Sequence, residues 1–122
     1  MNKEEIIDIL NKILNEKEEN KMDSNYVIVR TYAMGVFAGY LHEKSTETCK
    51  ILTDARRIWY WEGASSLSEL AEKGTSKPEK CKFPVPVKYV ELTSPQGFEI
   101  LKVSAKAKKS IEEVKIWTQH ES

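Results

Sequence analysis

A chain of 122 residues is the size of one domain and is too short for two hydrophobic cores of ordinary size. Hydrophobic residues at 40% and charged residues at 31% are typical of globular proteins, while a formal net charge of zero excludes the long-range positive field on which non-specific DNA binders depend. No apolar stretch approaches the roughly 20 residues that span a bilayer, and the acidic start MNKEEIIDIL does not resemble a signal peptide, so we expect a cytoplasmic protein with no membrane or DNA partner.

The chain starts with an amphipathic helix, which we predict over residues 1–22. Apolar residues recur there at the spacing of one helical face: Ile6, Ile7, Leu10, Ile13 and Leu14. This stripe either packs on its own domain or docks on a partner subunit, because an apolar face needs a surface that covers it. We therefore divide the chain into a helix at residues 1–25, for packing or oligomerisation, and a β-core with a C-terminal helix at residues 26–122.

After residue 25 the pattern changes to that of β-strands joined by turns. Strands are predicted at residues 26–32, 36–41, 49–53, 57–61, 87–92 and 98–103. The short segment 54–56 separates the third strand from the fourth as a tight turn or a bulge. Ser66 and Ser104 are predicted N-caps of two further helices. The predicted fold is therefore α+β, an antiparallel β-core with an N-terminal amphipathic helix, a short middle helix and a C-terminal helix.

Residue patterns of known catalytic sites do not occur in the sequence. Phosphate loops, dinucleotide fingerprints and zinc-protease motifs are missing, and neither His42 nor His120 has a nucleophile or carboxylate placed for catalysis. Cys49 and Cys81 form neither a zinc motif nor a disulfide framework, so we expect two buried thiols. We predict a protein that is not an enzyme and that uses no cofactor and no metal.

The segment LTDARRIWYWEG, which starts at Leu52, combines two adjacent arginines with three aromatic residues. Period-two alternation places Arg57 with Trp59 on one face of a strand and Arg56 on the other face. Guanidinium groups bind phosphate oxygens through two hydrogen bonds and aromatic rings stack on bases, which are the contacts that a nucleotide pocket needs. The alternative is a tryptophan-rich core strand whose arginines pair with neighbouring carboxylates such as Asp54.

Other residues offer further ligand contacts. Arg30 and Tyr32 share one face of the first strand and provide a second cation and stacking surface, or they are an exposed arginine beside a strand tyrosine. Phe83 lies in a proline-rich loop and is either an anchor in the core or a stacking lid. We predict that these three residues and Trp59 orient or stack on a base.

The start of the last helix is a candidate anion site. Ser104, Lys106 and Lys109 place a hydroxyl group, backbone amides and ammonium groups at a helix N-terminus, which binds an anion when one comes near. The alternative is a solvated basic face. We predict Arg57 and Arg56 as the principal phosphate contacts, with these three residues completing the anion cradle.

Three blocks of sequence resemble the phage-encoded Thoeris anti-defence proteins of the first type. The blocks are YVIVRTY from Tyr26 with GVFAG from Gly35, LTDARRIWYWEGA from Leu52, and FEIL from Phe98 to AKKSI ending at Ile111. The resemblance extends from residue 26 to about residue 117. Ala33-Met34-Gly35 occupies the place where many members carry Ser-Ala-Gly.

What the resemblance implies is a sponge, which binds a cyclic ADP-ribose isomer made by bacterial TIR proteins without degrading it and so blocks Thoeris anti-phage defence in the host cytosol. It also implies a homo-oligomer, from a dimer up to a hexamer, whose pockets involve more than one subunit. Some members bind cyclic oligonucleotides at a second site. Alternatives from other classes are a phosphodiesterase-like enzyme that degrades a cyclic nucleotide, and a protein-interaction module that masks a host defence protein.

Overall fold

The computed structural model describes residues 2–20 and 22–119, with the side chains of all but residues 15–20 and 22–24. In this part of the chain the elements are α1 (Lys3–Asn20), β1 (Met22–Thr31), β2 (Val36–Leu41), β3 (Cys49–Arg57), α2 (Leu67–Lys73), a 3₁₀ turn (Pro78–Lys80), β4 (Val87–Thr93), β5 (Phe98–Ser104) and α3 (Ala105–Glu113). The predicted α+β class is confirmed, with an antiparallel sheet and N-terminal, middle and C-terminal helices.

The strands form one antiparallel sheet in the order β4-β3-β2-β1-β5. Strands β4 and β5 thus lie at opposite edges, although only residues 94–97 connect them. The Gly97 N–H donates to Ser94 O over 3.0 Å, and such a turn keeps its ends within about 7 Å of each other. Because four spacings of about 4.8 Å separate the edges of a flat five-stranded sheet, this sheet has to curl until its edges approach.

Each face of the curled sheet is covered by its own hydrophobic cluster. Val29 of β1 packs with residues of β2, β3 and β4 and with Phe98 of β5, in a cluster made of strands alone. This cluster lies on the concave face, since both edge strands contribute to it. On the other side of β1, Ile28 packs with Leu70 of α2 and Ile111 of α3. The helices α2 and α3 therefore cover the convex face.

Serine side chains cap both helices of the core, as predicted. Ser66 Oγ accepts a hydrogen bond from the Glu69 N–H over 3.1 Å, and Ser104 Oγ accepts one from the Ala107 N–H over 3.0 Å. Helix α3 ends at Glu113. No helix within residues 2–20 and 22–119 is both long enough and apolar enough to cross a membrane.

Strand β3 corrects the sequence prediction, which placed two strands in this region. The structure has one strand, Cys49–Arg57, in which Asp54 adopts a φ of 46°. The pairing register with β2 shifts by one residue between Ala38 and Tyr40, so Asp54 belongs to a β-bulge. The predicted bulge is therefore present, whereas the predicted strand at residues 57–61 does not form.

Helix α1 has apolar side chains that the described residues leave exposed. It ends at Asn20, and β1 starts at Met22, earlier than the predicted residue 26. Helix α1 contacts α3. Its apolar side chains are nevertheless 44–58% exposed: Ile6, Ile7, Ile9, Leu10, Ile13 and Leu14. Of the two predicted alternatives, packing on the own domain leaves this stripe exposed within the described residues. Docking on a partner subunit stays a prediction.

Candidate functional site

The two adjacent arginines lie at the end of the sheet where β1 turns into β2 and β3 stops, which we call the turn end. Arg56 pairs with Ala38, a residue of the cluster beneath the helices, and Arg57 pairs with Phe37, a residue of the concave cluster. Their side chains therefore leave β3 on opposite faces, as the alternation of a strand predicts. Because the surroundings of the two faces differ, the two guanidinium groups make different contacts.

Arg56 is buried between β3, α3 and the segment before β4, with 5% of its surface exposed. Its guanidinium donates to the main-chain carbonyls of Phe83 and Ile111 over 3.1 and 3.0 Å, and to those of Pro84 and Glu112 over 3.4 and 3.5 Å. Burial lowers the pKa of the Arg56 side chain. The predicted phosphate contact is not supported, since all three nitrogens are engaged inside the protein, and their partners are carbonyls rather than the carboxylates of the alternative interpretation.

Arg57 is half-buried and oriented by two contacts. Its Nη1 donates to Met34 O over 2.8 Å, and its guanidinium carbon lies 4.2 Å from the centre of the Phe37 ring. Across the described part of the chain the guanidinium has no other hydrogen bond or ion pair, so four of its five N–H groups remain for a ligand. A guanidinium that is stacked on a ring and held at one nitrogen can still bind a phosphate through its other edge.

Two strongly exposed aromatic side chains lie at the turn end. Tyr32, which directly follows β1, is 81% exposed, and Trp59 is 65% exposed. Trp59 is placed there because the N–H of the preceding Ile58 donates to Val36 O over 2.9 Å, and its own N–H donates to Lys82 O over 3.2 Å. Exposed rings on a fixed backbone are surfaces on which nucleic acid bases stack.

Arg30 forms an ion pair with Glu99. Its Nε lies 3.1 Å from Oε1 of Glu99, the residue directly opposite on β5. These two side chains, with Tyr32 and the turn before β5, line a cavity of about 440 Å³. The Glu99 carboxylate competes with any ligand phosphate for this guanidinium, whereas Arg57 has no carboxylate partner among the described residues.

Phe83 is fully buried in the cluster beneath the helices. Its carbonyl accepts hydrogen bonds from Arg56 Nη2 and from the Trp117 N–H over 3.1 and 3.0 Å, and a β-bridge pairs it with Ile116. These contacts attach both the segment before β4 and the residues after α3 to the core. Of the two interpretations from the sequence, the structure supports the core anchor and not the stacking lid.

Helix α3 carries the remaining candidates. Ser104 is buried, and its hydroxyl donates to Glu72 O over 2.7 Å while it accepts from the Ala107 N–H, so it caps the helix and is not open to a ligand. Lys106 and Lys109 are exposed and line a groove of about 640 Å³ beside the loop that follows α2. Two of these three predicted contacts are therefore accessible.

The accessible residues are split between the two faces of the sheet. Arg57 faces the concave side, whereas α3 packs on the convex side with Ala107 and Ile111 inward. Lys109 lies two residues from each of these buried positions, which places it on the outer side of the helix. Since α3 covers the convex face and Arg57 lies on the concave face, the sheet separates both lysines from Arg57, and one chain does not bring them onto one compact ligand.

The residues with catalytic or metal-binding chemistry lie apart. Nδ1 of His42 accepts from the Lys44 N–H over 3.0 Å in the loop after β2, and His120 lies outside the described residues. Cys81 is a buried thiol as predicted, but Cys49 is only half-buried. No three His, Cys, Asp or Glu side chains within residues 2–20 and 22–119 come together as metal ligands.

The residues that hold Arg57 were not identified from the sequence. Phe37 pairs directly with Arg57 across β2 and β3, but the sequence prediction ended the third strand at residue 53, so this pairing was missed. Met34 contributes only its carbonyl group, which no side-chain pattern reveals.

Fold and site together define a small α+β protein with a curled antiparallel sheet, whose turn end carries the oriented guanidinium group of Arg57 and the strongly exposed rings of Tyr32 and Trp59. The chain belongs to a family described as a domain of unknown function, DUF6948, whose model matches residues 24–111. The match contains most of β1, the strands β2–β5, and α3 up to Ile111. No curated protein and no solved structure matches the chain.

Proposed function

We propose that the protein is a non-catalytic sponge, which binds cyclic ADP-ribose-type signals made by bacterial TIR proteins and so blocks Thoeris anti-phage defence in the cytosol of the host. The observation that carries the proposal is the environment of Arg57, whose oriented guanidinium has open N–H groups. The exposed rings of Tyr32 and Trp59 lie at the same end of the sheet. A pyrophosphate and an adenine need these two kinds of contact, and the resemblance to Thoeris anti-defence proteins supports this choice of ligand.

The affinity that a sponge requires limits what the pocket can be. Competition with the receptor of the signal calls for a dissociation constant of about 1 nM, or about 12 kcal/mol. A hydrogen bond to a charged group contributes about 1.5–3 kcal/mol and a stacked base about 1–3 kcal/mol. Arg57 and one stacked ring are therefore not sufficient, and further cations have to reach the same ligand in a preorganised pocket.

We propose that a second copy of the chain completes the pocket. Lys106 and Lys109 are too far from Arg57 within one chain, but a neighbouring copy can bring its own groove beside the turn end. The uncovered stripe of α1 supplies apolar surface through which copies associate into a dimer or a larger homo-oligomer, up to a hexamer. Sequestration of the ligand in this way requires no nucleophile, cofactor or metal.

The test combines calorimetric titration with recovery of the ligand. Purified protein is titrated with a panel of cyclic ADP-ribose isomers, and the complex is then denatured by heat and the released nucleotide identified by mass spectrometry. We expect nanomolar binding of one isomer and its full return in intact form. A hydrolysed product would instead indicate the phosphodiesterase. Folded protein that binds no isomer would show the proposal to be wrong, and would favour the protein-interaction module with the α1 stripe as its surface.

A further inference from the structure

One side chain, that of Thr31, holds together the turn between β1 and β2. Thr31 is the last residue of β1 and is 7% exposed. Its hydroxyl accepts a hydrogen bond from the Met34 N–H over 2.8 Å and donates one to Gly35 O over 3.0 Å. Its own N–H donates to the same Gly35 oxygen over 3.0 Å. These bonds fix the peptide group that precedes Met34 and the one that follows Gly35.

The peptide group between these two fixed groups is the one that contacts Arg57. Its oxygen, Met34 O, accepts the hydrogen bond from Arg57 Nη1. Gly35 has a φ of +90°, and a β-carbon at this position would lie 3.0 Å from the same Nη1, so glycine permits the close approach. The ring of Phe37, two residues further along the chain, packs against the Arg57 guanidinium. The turn thus determines where the Arg57 guanidinium lies and how it is oriented.

We propose that Thr31 is a positioning residue of the anion site, which holds Arg57 in its binding orientation through the Met34 carbonyl before any ligand arrives. An arginine that is already ordered loses little rotamer freedom on binding, so its positioning raises the affinity for a phosphate. The effect on ligand affinity rests on the function proposed above. The effect on the Arg57 side chain does not.

Two substitutions distinguish the effect of the Thr31 hydroxyl group from the effect of its β-branched shape. Thr31→Val keeps the β-branched shape and the main-chain bond to Gly35, but it removes both side-chain hydrogen bonds of the turn. Thr31→Ser keeps the hydroxyl and loses only a methyl group. A role in positioning requires the serine variant to behave like the wild type and the valine variant to differ from it.

The first measurement needs no ligand. The chain has three arginines, so the guanidinium N–H signals are few in a ¹⁵N NMR spectrum, and that of Arg57 is assigned by its loss in Arg57→Lys. Stacking on Phe37 and the bond to Met34 O should move this signal away from that of a solvated arginine. We expect Thr31→Val to shift it towards the solvated value and Thr31→Ser to retain it. An unchanged Arg57 signal in Thr31→Val overturns the proposal.

The second measurement is a titration with the cyclic ADP-ribose isomer that the wild type binds. We expect about five- to tenfold weaker binding for Thr31→Val, the size of one lost hydrogen bond, and binding within about twofold of the wild type for Thr31→Ser. Added to Arg57→Ala, Thr31→Val should not reduce the residual affinity further, because nothing remains to be positioned. Equal weakening in both backgrounds would mean that Thr31 acts through general stability, and would overturn the proposal.

The two measurements fail independently. If the wild type binds no isomer, the proposed ligand is wrong and the NMR signal of Arg57 alone decides the role of Thr31. If the wild type binds and the signal is unchanged in Thr31→Val, the ligand stands and the positioning role is wrong.

Discussion

Arg56 and Arg57 are adjacent in the chain, yet the guanidinium of Arg56 is enclosed by four main-chain carbonyls, whereas that of Arg57 has one carbonyl partner and lies over the ring of Phe37. The difference arises because consecutive side chains of a strand point to opposite faces, and only one of these faces is covered by helices. Substitutions at the two positions should therefore separate stability from ligand binding.

Arg56→Leu should lower the free energy of unfolding by about 3–5 kcal/mol, because it removes the hydrogen bonds through which a buried guanidinium joins β3 to α3 and to the segment before β4. Denaturant unfolding followed by circular dichroism measures this loss. Arg57→Leu is the matched control and should cost less than about 1 kcal/mol, since its position is half-exposed. Equal losses for the two variants would contradict the enclosed position of Arg56.

Arg57→Ala should weaken capture of the cyclic nucleotide by at least about 100-fold while the protein stays folded, because the charged phosphate contact is lost. Calorimetric titration and a thermal melt of the same sample provide both values. Arg30→Ala should weaken binding less than Arg57→Ala, since Arg30 is paired with Glu99. Retained affinity with a lowered melting temperature would show that Arg57 is a structural residue.

Trp59→Ala should weaken nucleotide binding by about 1–3 kcal/mol, the contribution of one stacked base, and Trp59→Phe should restore part of it. Tyr89→Ala removes another exposed aromatic ring, on β4, and serves as the control. The dissociation constants of the three variants are compared at one salt concentration. The stacking role would be refuted by a loss of the same size in the Tyr89 variant.

Mixing two defective chains tests whether the pocket is shared between copies. Arg57→Ala and Lys109→Ala should each lack tight binding, but co-expressed chains should regain it in about one pocket in four, where an intact Arg57 meets an intact Lys109 from its neighbour. The number of tight sites per chain, from calorimetry, is the readout. Mixed oligomers that recover no tight sites would show that the two residues do not share a ligand.

Replacing Leu10 and Leu14 of α1 by lysine should lower the mass measured by light scattering, because a charged stripe no longer packs against a second copy. Binding of the nucleotide should weaken in step, since a shared pocket disappears when the chains separate. Replacing the polar residues Asn11 and Lys12 by alanine provides the control, with the mass unchanged. An unchanged mass in the lysine variant would mean that the β-core alone holds any assembly together.

The parts of the fold that follow from local signals were predictable from the sequence. Ser66 and Ser104 were identified as caps because capping depends on residues three positions apart. The end of β3 at Arg57 was not predictable, because the following Trp59 bonds to Lys82 O, a partner that is distant in sequence.

The same distinction applies to the candidate site. Alternation along β3 correctly predicted that the two arginines point to opposite faces, but it did not predict which face is buried. The carbonyls that enclose Arg56 lie 27 to 56 residues further along the chain, in the segment of Phe83 and at the end of α3. The position of these carbonyls beside Arg56 depends on how α3 packs on the sheet. The sequence of β3 does not predict that packing.

The sheet order also determines when this domain can complete its folding. Thr31 of β1 pairs with Phe98 of β5, 67 residues further along the chain. The first strand therefore pairs completely only after the last strand is present. Pairings of this range slow folding to the millisecond-to-second scale. During synthesis β1 keeps one edge unpaired until β5 has left the ribosome, and an unpaired edge is a template for the strands of other nascent chains. When the protein is synthesised rapidly, aggregation should therefore begin at the edge of β1 that β5 later covers.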